Sequence, residues 1–233
     1  MPTLNGVRFR LGMIRDAFTK PFSEIVVHPA SSTGLFDFLA PLVPGLPSVP
    51  AELRDAPLPD DLNAQYVESS EPDVSRALYT LARLLHARQI AEVGVFRGAT
   101  TRFLSRALAD NGGGELHLVD LSGEALSLAR DTAGALANVT LRSHLGSSYA
   151  LQVLSEVPSD LDLVYLDADH SEHGVRDELA AWIPKVRAGG IIAIHDTIHL
   201  TGVCKAAHEY AGTQATLTVS TGRGSGLTMI RIS

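Results

Sequence analysis

"AEVGVFRGATTRFL", residues 91–104, decides how the chain is read. An apolar run, QIAEVGV, meets two glycines, Gly94 and Gly98, and a helix-forming segment, TTRFLSRALAD, follows. A strand that turns through glycines into a helix opens a nucleotide-binding βα unit. The spacing narrows the ligand. A dinucleotide fingerprint wants Gly-x-Gly-x-x-Gly, with the middle glycine open to a pyrophosphate; here Phe96 fills that place. The Gly-Lys-Ser/Thr ending of a phosphate loop is also missing. The loop therefore suits a nucleoside without phosphate. Gly94 permits the turn, and Gly98 is expected to let backbone approach the ligand closely. Glu92, just before the turn, offers a carboxylate to a cationic amino acid group. Asp120, ending the next strand, can accept two hydrogen bonds from a ribose diol.

Beyond this stretch, helices and strands alternate. A helix from Asp73, with Val74, Leu78, Leu81 and Leu85 on one face, precedes the loop, and Asp73 is placed to cap it. Strands are expected at ELHLVD, NVTLRSHLG, LDLVYLDAD and GGIIAIHD, with helices between them. ATLTVS and LTMIRIS close the chain as two strands on a glycine-rich connection. Such alternation specifies an α/β fold: a Rossmann-like, doubly wound, seven-stranded, mostly parallel sheet. The last strand pair, lacking a helix between, implies one antiparallel strand near an edge. Ligands of such sheets sit outside the carboxyl ends of the strands. Chemistry is therefore sought at residues 92–98, 120, 146–148, 167–173 and 195–199.

Residues 1–72 read differently, as an N-terminal arm ahead of a ligand-binding domain at 73–233. Pro41, Pro44, Pro47 and Pro50 recur at every third position, the period of a polyproline II helix. A stiff arm serving as a substrate lid or an oligomer contact fits this pattern.

Bulk properties exclude some roles. The 233 residues carry a formal net charge of −7 and no basic block, which argues against nucleic acid as a partner. No apolar run is long enough for a membrane span, and no secretory signal pattern opens the chain. The single Cys204 fits a reducing compartment, so a cytoplasmic setting is expected.

Two further segments, DADHSEH at 167–173 and HDTIH at 195–199, end strands expected to be neighbours. Asp167, Asp169, His170, His173, His195, Asp196 and His199 could converge there. Carboxylates favour magnesium or manganese, and imidazoles suit transition metals. His195 could instead be a general base, since imidazole titrates near neutrality. Asp169 could equally cap the following helix, and His173 and His199 could be solvated helix residues. Arg176 and Asp177 read as a surface charge pair and Trp182 as core. His28, His86, His117, His144 and His208 are expected to be structural.

Taken in order, EVGVFRGATT, LHLVD and LDLVYLDADHSEHGVRDELAAWIPKVRAGGIIAIHDT resemble a class I S-adenosylmethionine-dependent methyltransferase. The likeness covers residues 74–233 and is greatest to the small-molecule O-methyltransferases that include the macrolide-sugar and aminocoumarin enzymes. It implies that Glu92, Gly94 and Gly98 line the methionine end of S-adenosyl-L-methionine. Asp120 would hold the ribose, and Ser147 and Ser148 would lie near the adenine. Phe96, Thr100, Leu121 and Asp167 complete the implied donor-binding set. The family often has an acid where this chain has the second serine of GSS. Metal ligands are implied at Asp167, His195 and Asp196, for magnesium or manganese with a transition metal also open. Some relatives carry an acid in place of His195. His170 stands where metal-dependent relatives place a Lys or His beside the acceptor, which makes it, with His195, a base candidate.

The expected reaction is methylation of a hydroxyl on a small-molecule acceptor, with homo-oligomerisation a further expectation. Its rivals are a nicotinamide-dependent oxidoreductase, a metal-dependent hydrolase or oxidase on the same sheet, and a non-catalytic binding module. Phe96 and the absent third glycine oppose the first. The acidic charge disfavours an RNA or protein methyltransferase.

Overall fold

A computed structural model describes residues 24–26, 50, 70, 72–212, 214, 216–219 and 225–233 of the chain. The expected proline-spaced segment lies outside these residues, except Pro50. Chain order runs β1 (Glu24–Val26), α1 (Pro72–Leu84), β2 (Gln89–Val93), α2 (Ala99–Asp110), β3 (Gly114–Asp120), α3 (Gly123–Ala133), β4 (Val139–Leu145) and α4 (Leu151–Glu156). It continues through β5 (Leu161–Leu166), α5 (Glu172–Trp182), β6 (Val186–His195), α6 (Thr201–Ala211), β7 (Thr216–Val219) and β8 (Leu227–Arg231). A single 3₁₀ turn, Ile183–Lys185, joins α5 to β6.

Strands order as β1-β7-β8-β6-β5-β2-β3-β4. Among the described strands only β8 runs antiparallel, inserted between β6 and β7. The seven strands expected from residue 73 onward are all present. The eighth, β1, comes from the arm and pairs in parallel with β7. Its three residues are too short to stand out as a pattern in the sequence.

Period-2 alternation divides the strand side chains between two cores. Ile90, Leu116, Leu118, Leu163 and Tyr165 pack under α1, α2 and α3. Ala91, Val93, Val164, Leu166, Ile192 and Ile194 pack against α4, α5 and α6. That parity places Glu92, Tyr165, Asp167 and His195 on the first face, since Glu92 is in register with Tyr165 and Leu166 with Ile194. The polar residues are thereby stacked at the carboxyl end of one face, where the strands stop.

Local sequence explains the helix starts. Ser122 caps α3 by accepting from the Ala125 N–H at 3.1 Å, and Ser171 caps α5 by accepting from Gly174 at 3.0 Å. Asp73 is not a cap: α1 starts at Pro72, so Asp73 lies in its first turn, 3.4 Å from the Arg76 guanidinium. At the opposite end of the sheet, Asp162 accepts from the backbone N–H groups of Arg88 and Gln89 at 2.6 and 2.9 Å. Its other oxygen accepts from Arg187 Nε at 2.6 Å, tying the starts of β2 and β6 to β5.

Candidate functional site

The loop after β2 is held in shape by its neighbours. Asp120 Oδ2 accepts from the Val95 N–H at 3.0 Å, and its Oδ1 accepts from the Ser122 N–H at 2.9 Å. The carboxylate braces the turn while still facing the cavity beside it, where its remaining lone pairs are open to a ligand. Gly94 has φ +84°, and a Cβ there would overlap the Asp167 carbonyl and sit 2.9 Å from Ala168 Cα. This glycine is demanded by the approach of the β5 loop. Gly98 has another cause: a Cβ there would lie 2.5 Å from Ala129 Cα, so its glycine lets α3 pack close. Gly98 lines neither of the two cavities described below.

Two non-glycine residues at the site hold left-handed backbone, Phe96 at φ +44° and Asp196 at φ +59°. Each such residue costs on the order of 1–3 kcal/mol, and residues of this kind cluster at ligand sites. Phe96 takes that conformation in the loop itself and lines the cavity described below.

A cavity of about 590 Å³ opens over the ends of β2, β3 and β4. Gly94, Phe96, Asp120, Leu121, Ser147, Ser148 and Asp167 line it. A smaller one of about 190 Å³ is lined by Ser70, Glu92, Thr100, Asp167 and His170. The two share Gly94, Phe96 and Asp167. Every donor-binding residue expected from the sequence except Gly98 therefore lines one cavity or the other.

Glu92 is 1% exposed, and its Oε2 has no hydrogen-bonding partner. Burial pushes its carboxyl up to about 8; Thr101 partly offsets this, while Asp167 and Asp120 add to it. A buried acid in this state gains greatly from a cation brought next to it.

Asp167 is the centre of the polar cluster. Its Oδ2 accepts from Ser70 Oγ at 2.6 Å and from the Tyr165 hydroxyl at 2.9 Å. Its Oδ1 lies 2.9 Å from His195 Nδ1 and 3.3 Å from His170 Nε2. Burial alone would push Asp167 up, but the charge of His195 and the bonds from His170, His195 and Ser70 outweigh it. The group is held well below the usual carboxylate range. His170 shifts the other way: its bond to Asp167 raises it against its partial burial. Burial raises Asp196.

Asp167, His170 and Asp196 each offer a ligand atom within 4.8 Å of the other two. Of the expected metal ligands, His195 contacts both carboxylates instead, at 2.9 Å to Asp167 and 3.5 Å to Asp196. His170 is half exposed in the smaller cavity, whereas His195 is buried. His199 reaches Asp196 at 3.4 Å, while His173 turns away to Asp177 at 3.5 Å. Asp169 accepts from the Ser171 N–H at 2.8 Å and supports the helix start without capping it. Arg176 does not pair with Asp177; it bridges Glu172 and Glu209 at 2.7 and 2.8 Å, tying α5 to α6. His117 and His144 stack in the interior, their ring nitrogens 3.0 Å apart, away from the site.

Sequence reading missed four contributors. Ser70 comes from the arm, and nothing local marks it. Tyr165 could have been found by parity, two residues before Asp167 on the same strand face. Tyr149 lines the larger cavity from the loop after β4. Glu178 also lines it, an acid in the buried stripe Gly174, Val175, Glu178, Leu179, Trp182 of α5.

Residues 91–197 match the model of a methyltransferase domain family. A Mycobacterium tuberculosis protein described as a probable O-methyltransferase is 32% identical over 125 residues, covering 53% of this chain and 54% of its own. A catechol O-methyltransferase of Niastella koreensis is 26% identical over 133 residues, covering 56% and 58%. The chain thus spans about half the length of the curated relatives it matches. Among solved structures, an O-methyltransferase of Bacillus cereus in complex with SAH has a TM-score of 0.62 at 18% identity, covering 84% of this chain and 96% of its own. The O-methyltransferase TomG of Streptomyces achromogenes, in complex with SAM, has a TM-score of 0.59 at 18% identity, covering 85% and 95%. These likenesses establish the fold.

Proposed function

We propose that this chain, whose residues 91–197 match a methyltransferase domain family, transfers a methyl group from S-adenosyl-L-methionine to a hydroxyl of a small-molecule acceptor. The observation that carries the reading is Glu92: a buried carboxyl with an unpartnered oxygen, next to a phosphate-excluding loop and a nucleoside-sized cavity. An amino acid ammonium answers its need for a cation. Asp120, Ser147 and Ser148 offer polar contacts along the larger cavity for the nucleoside. A nicotinamide dinucleotide is opposed by Phe96, which fills the position where the dinucleotide fingerprint needs its middle glycine.

The sulfonium of the donor supplies the activated methyl. Its transfer breaks the carbon–sulfur bond, leaves the electron pair on sulfur and forms a carbon–oxygen bond to the acceptor. What remains for the chain is to align the hydroxyl and take its proton. His170, exposed in the smaller cavity between Asp167 and Asp196, is the base this geometry favours, and both carboxylates stabilise the imidazolium that results. His195, buried and paired with Asp167, is a positioning residue.

In place of that base role, Asp167, His170 and Asp196 would hold a divalent ion, since two carboxylates and an imidazole converge and Asp167 stays deprotonated; His170 would then be a ligand and not the base. Such an ion would lower the pKa of an acceptor hydroxyl. Among the described residues no helix is long and apolar enough to cross a membrane. A cytoplasmic setting accords with a lone, partly buried thiol.

Calorimetry with S-adenosylhomocysteine tests the reading. The expected result is micromolar binding by the wild-type chain and loss of it in Glu92→Ala. Uptake of NAD in place of S-adenosylhomocysteine, or of neither, overturns it.

A further inference from the structure

The adenine end of the donor cavity lacks an obvious reader. Gly146, Ser147 and Ser148 at the end of β4 carry no acid. Leu121, 77% exposed, and Tyr149 offer the flat apolar walls that suit a heteroaromatic ring. Such a ring also needs a polar group at its edge, because specificity for a base comes from hydrogen bonds to that edge.

Glu178 is placed to supply it. It projects from α5 into the cavity wall formed by Ser148 and Asp169. It is 1% exposed, and neither carboxylate oxygen completes a hydrogen bond. Burial pushes it up to about 7, with Ser148 and the Asp169 backbone pulling it back only in part. An acid so placed is costly to the fold, on the order of 1–3 kcal/mol for each unsatisfied polar group. The rest of the buried stripe does ordinary packing work. Four residues on, the Trp182 indole N–H donates to the Ser148 carbonyl at 2.8 Å, pinning the β4 loop to the same helix. The position of Glu178 against that loop is therefore fixed before any ligand arrives.

We propose that Glu178 reads the base of the methyl donor, accepting a hydrogen bond from the exocyclic amine of its adenine. This inference rests on the donor reading given above. With its proton, the carboxyl also offers an O–H to the neighbouring ring nitrogen; without it, both oxygens accept. In either form one oxygen answers the amine. The missing acid at Ser148 is thus compensated from a different element, an exchange that no spacing within the β4 loop would reveal.

The test compares S-adenosylhomocysteine with its 6-deamino purine analogue, by calorimetry, in wild-type, Glu178→Gln and Glu178→Leu proteins. The wild type should prefer the amine-bearing ligand by about 10–100-fold, the range of one well-made hydrogen bond to a buried acid. Glu178→Leu should lose most of that preference while binding the analogue about as well as the wild type does. Glu178→Gln, whose amide oxygen still accepts, should keep most of it. Ligand-free Tm separates this role from a structural one: relieving an unpaired acid should leave Tm unchanged or raise it in Glu178→Gln. A wild type without preference overturns the proposal, as does a preference that survives in Glu178→Leu or a fall in Tm in both variants. Absence of S-adenosylhomocysteine binding by the wild type overturns the donor reading itself. Normal binding with an unaltered ratio in Glu178→Leu sinks the Glu178 assignment alone.

Discussion

His195 Nδ1 and Asp167 Oδ1 stand 2.9 Å apart, joining the carboxyl ends of β6 and β5. On the other side of the same oxygen, at 3.3 Å, is His170 Nε2. One carboxylate therefore organises two imidazoles of different exposure, and the exposed one lines the smaller cavity.

That difference separates the two histidines in kinetics. His170→Ala should lower kcat by about 10²–10⁴-fold, the usual contribution of a general base. Affinity for S-adenosylhomocysteine should change little. His195→Gln should act through the placement of Asp167 and cost less. Equal turnover in wild type and His170→Ala, measured with a true acceptor, would remove His170 as the base.

Manganese binding gives a separate readout of the acidic cluster. Paramagnetic resonance of Mn²⁺ should show one bound ion per chain, lost in Asp196→Ala. Both carboxylates take part in the convergence within 4.8 Å, so removing either should suffice. Identical free-ion signals with and without the protein would dismiss the metal.

Glu92 predicts a proton released when the donor binds. Its carboxyl is raised to about 8, so the ligand-free group is largely protonated at pH 7 and an arriving ammonium favours the ionised form. Binding enthalpy should therefore vary with the ionisation enthalpy of the buffer, and the variation should vanish in Glu92→Gln. The same shift predicts a pH slope in stability. The folded chain holds this proton between about 4.5 and about 8 whereas the unfolded chain has lost it. Ligand-free stability should fall as pH rises through that window, more steeply in wild type than in Glu92→Gln. A flat wild-type profile would contradict it.

Gly94→Ala should be severe. It combines left-handed backbone with overlap on the Asp167 carbonyl, and neither can relax without moving the β5 loop. A loss of about 2–4 kcal/mol in urea unfolding is expected from strain and overpacking together. A loss under 1 kcal/mol would mean that the loop yields.

Asp162→Ala tests the far end of the sheet. It strands two backbone N–H groups and removes the ion pair to Arg187 Nε, for a cost of roughly 2–4 kcal/mol. Donor affinity should be unchanged, since Asp162 sits at the opposite strand ends. A parallel loss of S-adenosylhomocysteine binding in folded protein would show that the two ends are coupled.

The periodicity of the chain was enough to determine the doubly wound sheet, its antiparallel β8 and the strand ends at which chemistry gathers. These depend on local patterns: alternation, glycine punctuation and the length of each crossover. Glu92, Asp120 and Asp167 were legible for the same reason, as acids that end apolar strands. Tertiary structure alone decided what each of them faces. It assigned Gly98 to helix packing against Ala129, and Asp120 to the brace of its own turn. It brought Ser70 from the arm to Asp167 across 97 positions of sequence and put β1 beside β7. It also left the Glu178 carboxylate buried with neither oxygen completing a hydrogen bond, an acid that sequence shows only as one polar residue on a helix face. A side chain's partner depends on chain segments far away in sequence, and periodicity, being local, holds no record of them.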